Sequence, residues 1–90
     1  MMFSIFRSDT AQAPLRAAWE QGDAALREAI CQASHDVDQR LREDPHEQGE
    51  SRGDEARILF QAPLGVLFHV DQEKMLVRIL RSWAFRAREA

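Results

Sequence analysis

The chain has 90 residues, of which 44% are hydrophobic and 30% charged, and its net charge is −3. That balance fits one globular domain over residues 1–90 and does not fit a disordered segment. A single cysteine, Cys31, excludes an intrachain disulfide, no apolar run approaches the ~18 residues of a membrane span, and MMFSIFRSD lacks the regions of a signal peptide, so a cytoplasmic protein is predicted.

Phe3 to Phe6 forms a short apolar run that reads as a strand, ended by Ser8 and Asp9. Thr10 to Gln21 is Ala-rich and helix-like, with Pro14 near its first turn and Leu15, Ala18 and Trp19 on one side. Gly22 is expected to close this helix in a left-handed conformation, and Asp23 to cap the next. In that second helix Leu26, Ile30, Ala33, Val37 and Leu41 recur at steps of three and four, laying one apolar stripe from about Asp23 to Glu43. Pro45 bars continuation. His46 to Asp54 contains Gly49, Ser51 and Gly53 without a large apolar residue, and is predicted to be a loop.

Three strands are predicted after the loop. Arg57 to Ala62 alternates, with Ile58 and Phe60 expected on the core face. Pro63-Leu64-Gly65 supplies a turn into Val66–Val70, where Val66, Phe68 and Val70 share one face. Asp71 to Lys74 is a second turn, and Met75 to Trp83 is the last strand, with Val77 and Ile79 facing one way and Leu76, Arg78 and Leu80 the other. The order β-α-α-β-β-β predicts an α+β fold: an antiparallel sheet with a two-helix hairpin packed on one face. The other face is left open, with arginines beside aliphatic residues.

Charge is unevenly spread along this order. Residues 1–56 hold six Arg against twelve Asp and Glu, a net of −6, whereas residues 57–90 hold six Lys and Arg against three acids, a net of +3. A basic patch suited to a negative partner follows from that asymmetry.

A helix hairpin ending in RLREDP, then GESR, the strand RILF, a PLG turn, VLFHVD and a final VRIL resembles the RelE/ParE family of bacterial toxins over residues 3–86. The resemblance implies the toxin of a type II toxin–antitoxin pair, neutralised by a small cognate antitoxin. RelE-like members cut messenger RNA in the ribosome, and ParE-like members bind DNA gyrase without chemistry of their own. Cleavage needs a base near the 2′-hydroxyl and cations around the phosphate. For a ribonuclease, the positions matching the family's give a catalytic set of His69, Arg57 and Arg81, with Arg78 beside them and Arg86 as the alternative to Arg81 for the C-terminal arginine. The chain has no tyrosine, and Gly65 stands where the family places a basic residue. ParE-like binding is therefore the reading adopted, with RNA cleavage and a non-toxic interaction module as alternatives. The binding residues it implies are Arg52, Arg57, Arg78, Arg81, Arg86, Leu67, Leu80 and Trp83, with Leu76 adding apolar area to an antitoxin interface.

Other motifs carry less. Glu50 and Arg52 read as a pair anchoring the loop, and Arg52-Gly53-Asp54 as a chance tripeptide. His35, Asp36 and Asp38 do not converge on a metal at helical spacing, so neither metal nor cofactor is predicted. Cys31 is expected to be a partly buried packing residue, and Trp19 and Trp83 aromatics of the core or its edge.

Overall fold

The computed structural model describes residues 2–85. Strand β1 (Ser4–Arg7) leads into helix α1 (Asp9–Gln21), whose first turn is capped by the Ser8 hydroxyl accepting from the Ala11 amide. Helix α2 (Ala24–Glu43) starts in the same way, with the Asp23 carboxylate accepting from Leu26 N–H at 2.8 Å. Its predicted stripe is observed: Ile30, Ala33, Val37 and Leu41 are buried, and Leu26 is packed at the core's margin. A 3-10 turn (Pro45–Glu47) ends the helical half. Then come β2 (Glu50–Ser51), β3 (Ala56–Gln61), β4 (Leu64–Asp71) and β5 (Leu76–Ala84).

The five strands form one sheet in the order β1-β5-β4-β3-β2. Tight turns oblige β3, β4 and β5 to run antiparallel. The sheet is not wholly antiparallel as expected, because β1 lies parallel to β5. No hairpin ties those two strands, and the two helices between them leave their relative direction free of turn geometry. The predicted loop also contains a strand: Glu50 and Ser51 pair with Ile58 and Arg57.

The core lies between α2 and one sheet face, where Val66, Phe68, Val70, Val77 and Ile79 are buried as predicted. β3 has the opposite phase to the one expected. Leu59 is 3% exposed and opposes Val66, whereas Phe60 is 56% exposed and Ile58 opposes Leu67 on the far face. A shift of one residue in phase exchanges every side chain between faces. The pattern misleads because the core face of β3 carries two polar residues, Arg57 and Gln61, on either side of Leu59.

Both are satisfied there. The Gln61 Oε1 accepts from Arg40 of α2 at 2.7 Å, and Arg57 donates to loop carbonyls.

At the hairpin corner Gly22 is extended (φ −80, ψ 156), not left-handed. The end of α1 is closed by Arg27 instead, whose Nε and Nη2 donate to the carbonyls of Trp19 and Glu20 at 2.9 Å each. Its guanidinium also sits 4.4 Å from the centroid of the Trp19 ring, so that ring is half-exposed under a cation rather than packed in the core. Cys31, expected to be partly buried, is exposed. No helix among the described residues is long and apolar enough to cross a membrane.

Candidate functional site

The sheet face away from the helices is assembled in rows across the strands. Phe60, Gly65 and Trp83 form one row, and Glu50, Ile58, Leu67 and Arg81 the next. Ala56, His69, Arg78 and Phe6 form the third. Side chains that oppose one another across paired strands stand on the same face, close enough to touch.

A bulge in β5 decides what this face displays. Phe68 opposes Ile79, but Leu67 opposes Arg81, so Leu80 is an extra residue without an opposite number. Strict alternation after Val77 and Ile79 would turn Arg81 toward the helices. The bulge turns it outward, and brings Ser82 into the interior at 6% exposure, opposite Val66. Arg78 and Arg81, three positions apart, thereby share the open face with Leu80, which is 46% exposed.

The other predicted cations divide. Arg57 is not aimed at the open face. It opposes the buried Phe68 and so stands on the helix side, where its Nε and Nη2 donate to Gln48 O (2.8 Å) and Gly49 O (3.0 Å). It holds the GESR segment against the sheet. Gly49 lies beneath that clasp at φ 67, where a side chain would strike the Ile58 carbonyl. Arg52 is exposed at the rim, its amide donating to Ala56 O at 2.8 Å, and among the described residues it forms no ion pair with Glu50. Arg86 lies outside the described residues.

His69 stands on the open face beside Arg78, its Nε2 3.3 Å from the Glu55 carboxylate. The sequence reading missed Glu55, which only a left-handed turn (Asp54 φ 45, Glu55 φ 64) brings level with the third row. It also missed an aromatic cluster. Trp83 lies directly over Gly65, and a Cβ built on that glycine would overlap the indole. Phe60 meets Trp83 edge-on at a centroid distance of 6.2 Å, and Phe85 at 5.8 Å. The place that a basic side chain would occupy at position 65 is filled by an indole.

Clefts lie on the helix side. One of about 200 Å³ is lined by Leu15, Val37, Ser34, Ser82 and the ion-paired Arg7 and Asp38. A second, between the helices, is lined by Leu15, Trp19, Ile30 and Cys31. Among the described residues no group of three or more His, Cys, Asp or Glu is gathered as metal ligands. The open face thus combines an apolar surface, two arginines and a carboxylate-held histidine, an arrangement fitted to docking a partner more than to enclosing a small substrate.

No family model matches the sequence, and no curated protein is significantly similar to it. Solved structures do match. A chain of the chromosomal ParDE toxin–antitoxin system from P. aeruginosa superposes with a TM-score of 0.72 at 20% identity, covering 94% of this chain and 98% of that one. A chain of the RelBE2 toxin–antitoxin complex from Mycobacterium tuberculosis gives 0.66 at 16% identity, with coverages of 98% and 95%. The isolated E. coli RelE toxin gives 0.61 at 17% identity, with coverages of 97% and 88%. The chain has the fold of the RelE and ParE toxins.

Proposed function

We propose that this chain is the toxin of a type II toxin–antitoxin pair, and that it acts by occupying a macromolecular target of the gyrase type, not by cutting RNA. Its fold is shared with chains of ParDE and RelBE complexes, which supports a cognate antitoxin as its neutralising partner. The observation that carries the non-chemical reading is the Trp83 indole lying on Gly65. A phosphate-holding cation has no room there. Arg57 is engaged with loop carbonyls on the opposite face, so of the predicted cations only Arg78 and Arg81 of β5 share the face with His69, whose Nε2 lies against Glu55. What remains on the open face binds.

Two reactions with the purified chain test this. In a gyrase supercoiling assay the chain is expected to inhibit. In a translation reaction with a reporter messenger the transcript is expected to stay whole. Transcript cleavage that depends on ribosomes, with supercoiling untouched, would reverse the assignment.

A further inference from the structure

We infer that the cleft between the helices and the sheet binds a small neutral molecule with a hydroxyl or amide head and a short aliphatic chain. Its head meets Ser34 and Ser82, and its chain lies between α1 and α2 over Leu15, Trp19 and Ile30. The site is on the opposite side of the sheet from the open face, and the inference does not rest on the toxin reading.

The place of the head follows from Ser82. The β5 bulge turns this serine into the interior, where it is 6% exposed and opposes Val66. Around it in the cleft stand Val37, Leu64, Val66 and Ile79, all buried. A leucine at position 82 would fill that space, and a serine leaves it open.

Among the described residues the serine hydroxyls with a hydrogen-bond partner are those of Ser8 and Ser51. Ser82 therefore has none, although no side-chain oxygen or nitrogen among those residues is both sealed from solvent and unpartnered. Its hydroxyl must then open onto the cleft. A polar group held among aliphatic side chains is costly until a hydrogen-bonding group meets it. Ser34 of α2 lines the same cleft and presents a second unpartnered hydroxyl, and Gln12 brings an amide to its wall.

The head is neutral because the charges of the cleft are closed on each other. Arg7 and Asp38 both line it, and the guanidinium donates to both carboxylate oxygens. A carboxylate head would be set beside Asp38, and an ammonium head beside Arg7. A hydroxyl or amide both donates and accepts, as the two serines do.

The chain follows from the neighbouring cleft. Gln12, Leu15 and Ser34 line both, so the two adjoin across those side chains. The second, of about 370 Å³, is walled by Leu15, Trp19, Ile30 and Cys31, which offer a chain mostly apolar contact. Sites for drug-sized ligands run from about 300 to 1,000 Å³, so spaces of this size suit a small head and a short chain.

The test titrates n-hexanol, hexanamide, hexanoate and hexylammonium into the isotopically labelled full chain. The amide signals of Ser34 and Ser82 and the indole signal of Trp19 report binding. Both neutral probes are expected to shift these signals saturably, and both ions to bind about fivefold more weakly or worse. From n-butanol to n-hexanol affinity is expected to rise about fourfold per methylene, the value of burying each one. Ser82→Ala is expected to weaken hexanamide about threefold to tenfold, by loss of one hydrogen bond. Ser34→Leu, which fills the cleft from α2, should abolish saturable shifts. Ser4→Ala, exposed on β1, should change affinity less than about twofold.

Circular dichroism establishes that each variant is folded, and Ser34→Leu decides the matter where Ser82→Ala is not. Shifts that fail to saturate, leaving the cleft to water alone, would overturn the inference. So would shifts centred on the open sheet face, or tighter binding of either ion than of n-hexanol. Unchanged affinity in folded Ser82→Ala or Ser34→Leu would overturn it equally.

Discussion

Gly65 reads in the sequence as an omission, a glycine where the resembling family has a cation. In the structure it is a requirement of Trp83, eighteen positions further on, whose indole covers it. Nothing local announces that dependence, since it exists only once the β4–β5 register is fixed. Gly65→Ala is expected to displace the indole and cost about 1–3 kcal/mol, read by urea denaturation and by a shift in Trp83 fluorescence in a Trp19→Phe background. The double variant Gly65→Ala with Trp83→Leu should recover part of that loss, since the two residues share one space. Additive losses would mean that the indole and the glycine do not meet. Glu55 was equally hidden, because its place beside His69 depends on two successive left-handed residues that no motif marks.

The elements themselves were open to reading to very different degrees. α2 was predicted within one residue at each end, because a stripe at helical spacing, an aspartate cap and Pro45 all point to the same limits. The sequence places β3 but implies the wrong phase for it, since Arg57 and Gln61 share the core face with Leu59 and each finds a partner that the sequence does not display. Leu59→Ala is expected to lower stability by about 2–5 kcal/mol and Phe60→Ala by less than about 1, in paired denaturation curves. The reverse order would restore the phase first expected. Arg57→Ala is expected to free the carbonyls of Gln48 and Gly49 and to speed amide exchange in β2, at a cost of about 1–2 kcal/mol for these partly exposed bonds. Arg57→Lys should not restore protection, because one ammonium cannot replace a fork reaching two carbonyls. The β5 bulge was out of reach altogether. Its effect is nevertheless visible in the sequence afterwards, as an arginine and a serine in the inverse of the order that alternation demands.

At the scale of the molecule, the α+β arrangement followed from the hairpin turns and from the need of two amphipathic helices for one apolar face. The parallel pairing of β1 with β5 did not, for want of a turn between them. The uneven charge along the chain also becomes spatial. The acids of the first half gather after α2, where residues 44–55 hold five against one arginine in the stretch leading into β2 and β3, while β5 carries Arg78 and Arg81 on the open face. That polarity sets acids and arginines at opposite sides of the open face, with exposed apolar side chains between them.

The most direct test is inducible expression in bacteria of the wild-type chain, of His69→Gln, and of Arg78→Glu with Arg81→Glu, following growth and transcript integrity together. Glutamine keeps the size and hydrogen bonding of the histidine but removes its titration, and a positioned acid–base group contributes about 10²–10⁴-fold to a rate. The expected result is growth arrest with whole transcripts for the wild type, the same arrest for His69→Gln, and growth restored by the double reversal. A folded His69→Gln protein that has lost all toxicity, or a wild type that fragments messenger RNA, would contradict a toxin that works by binding.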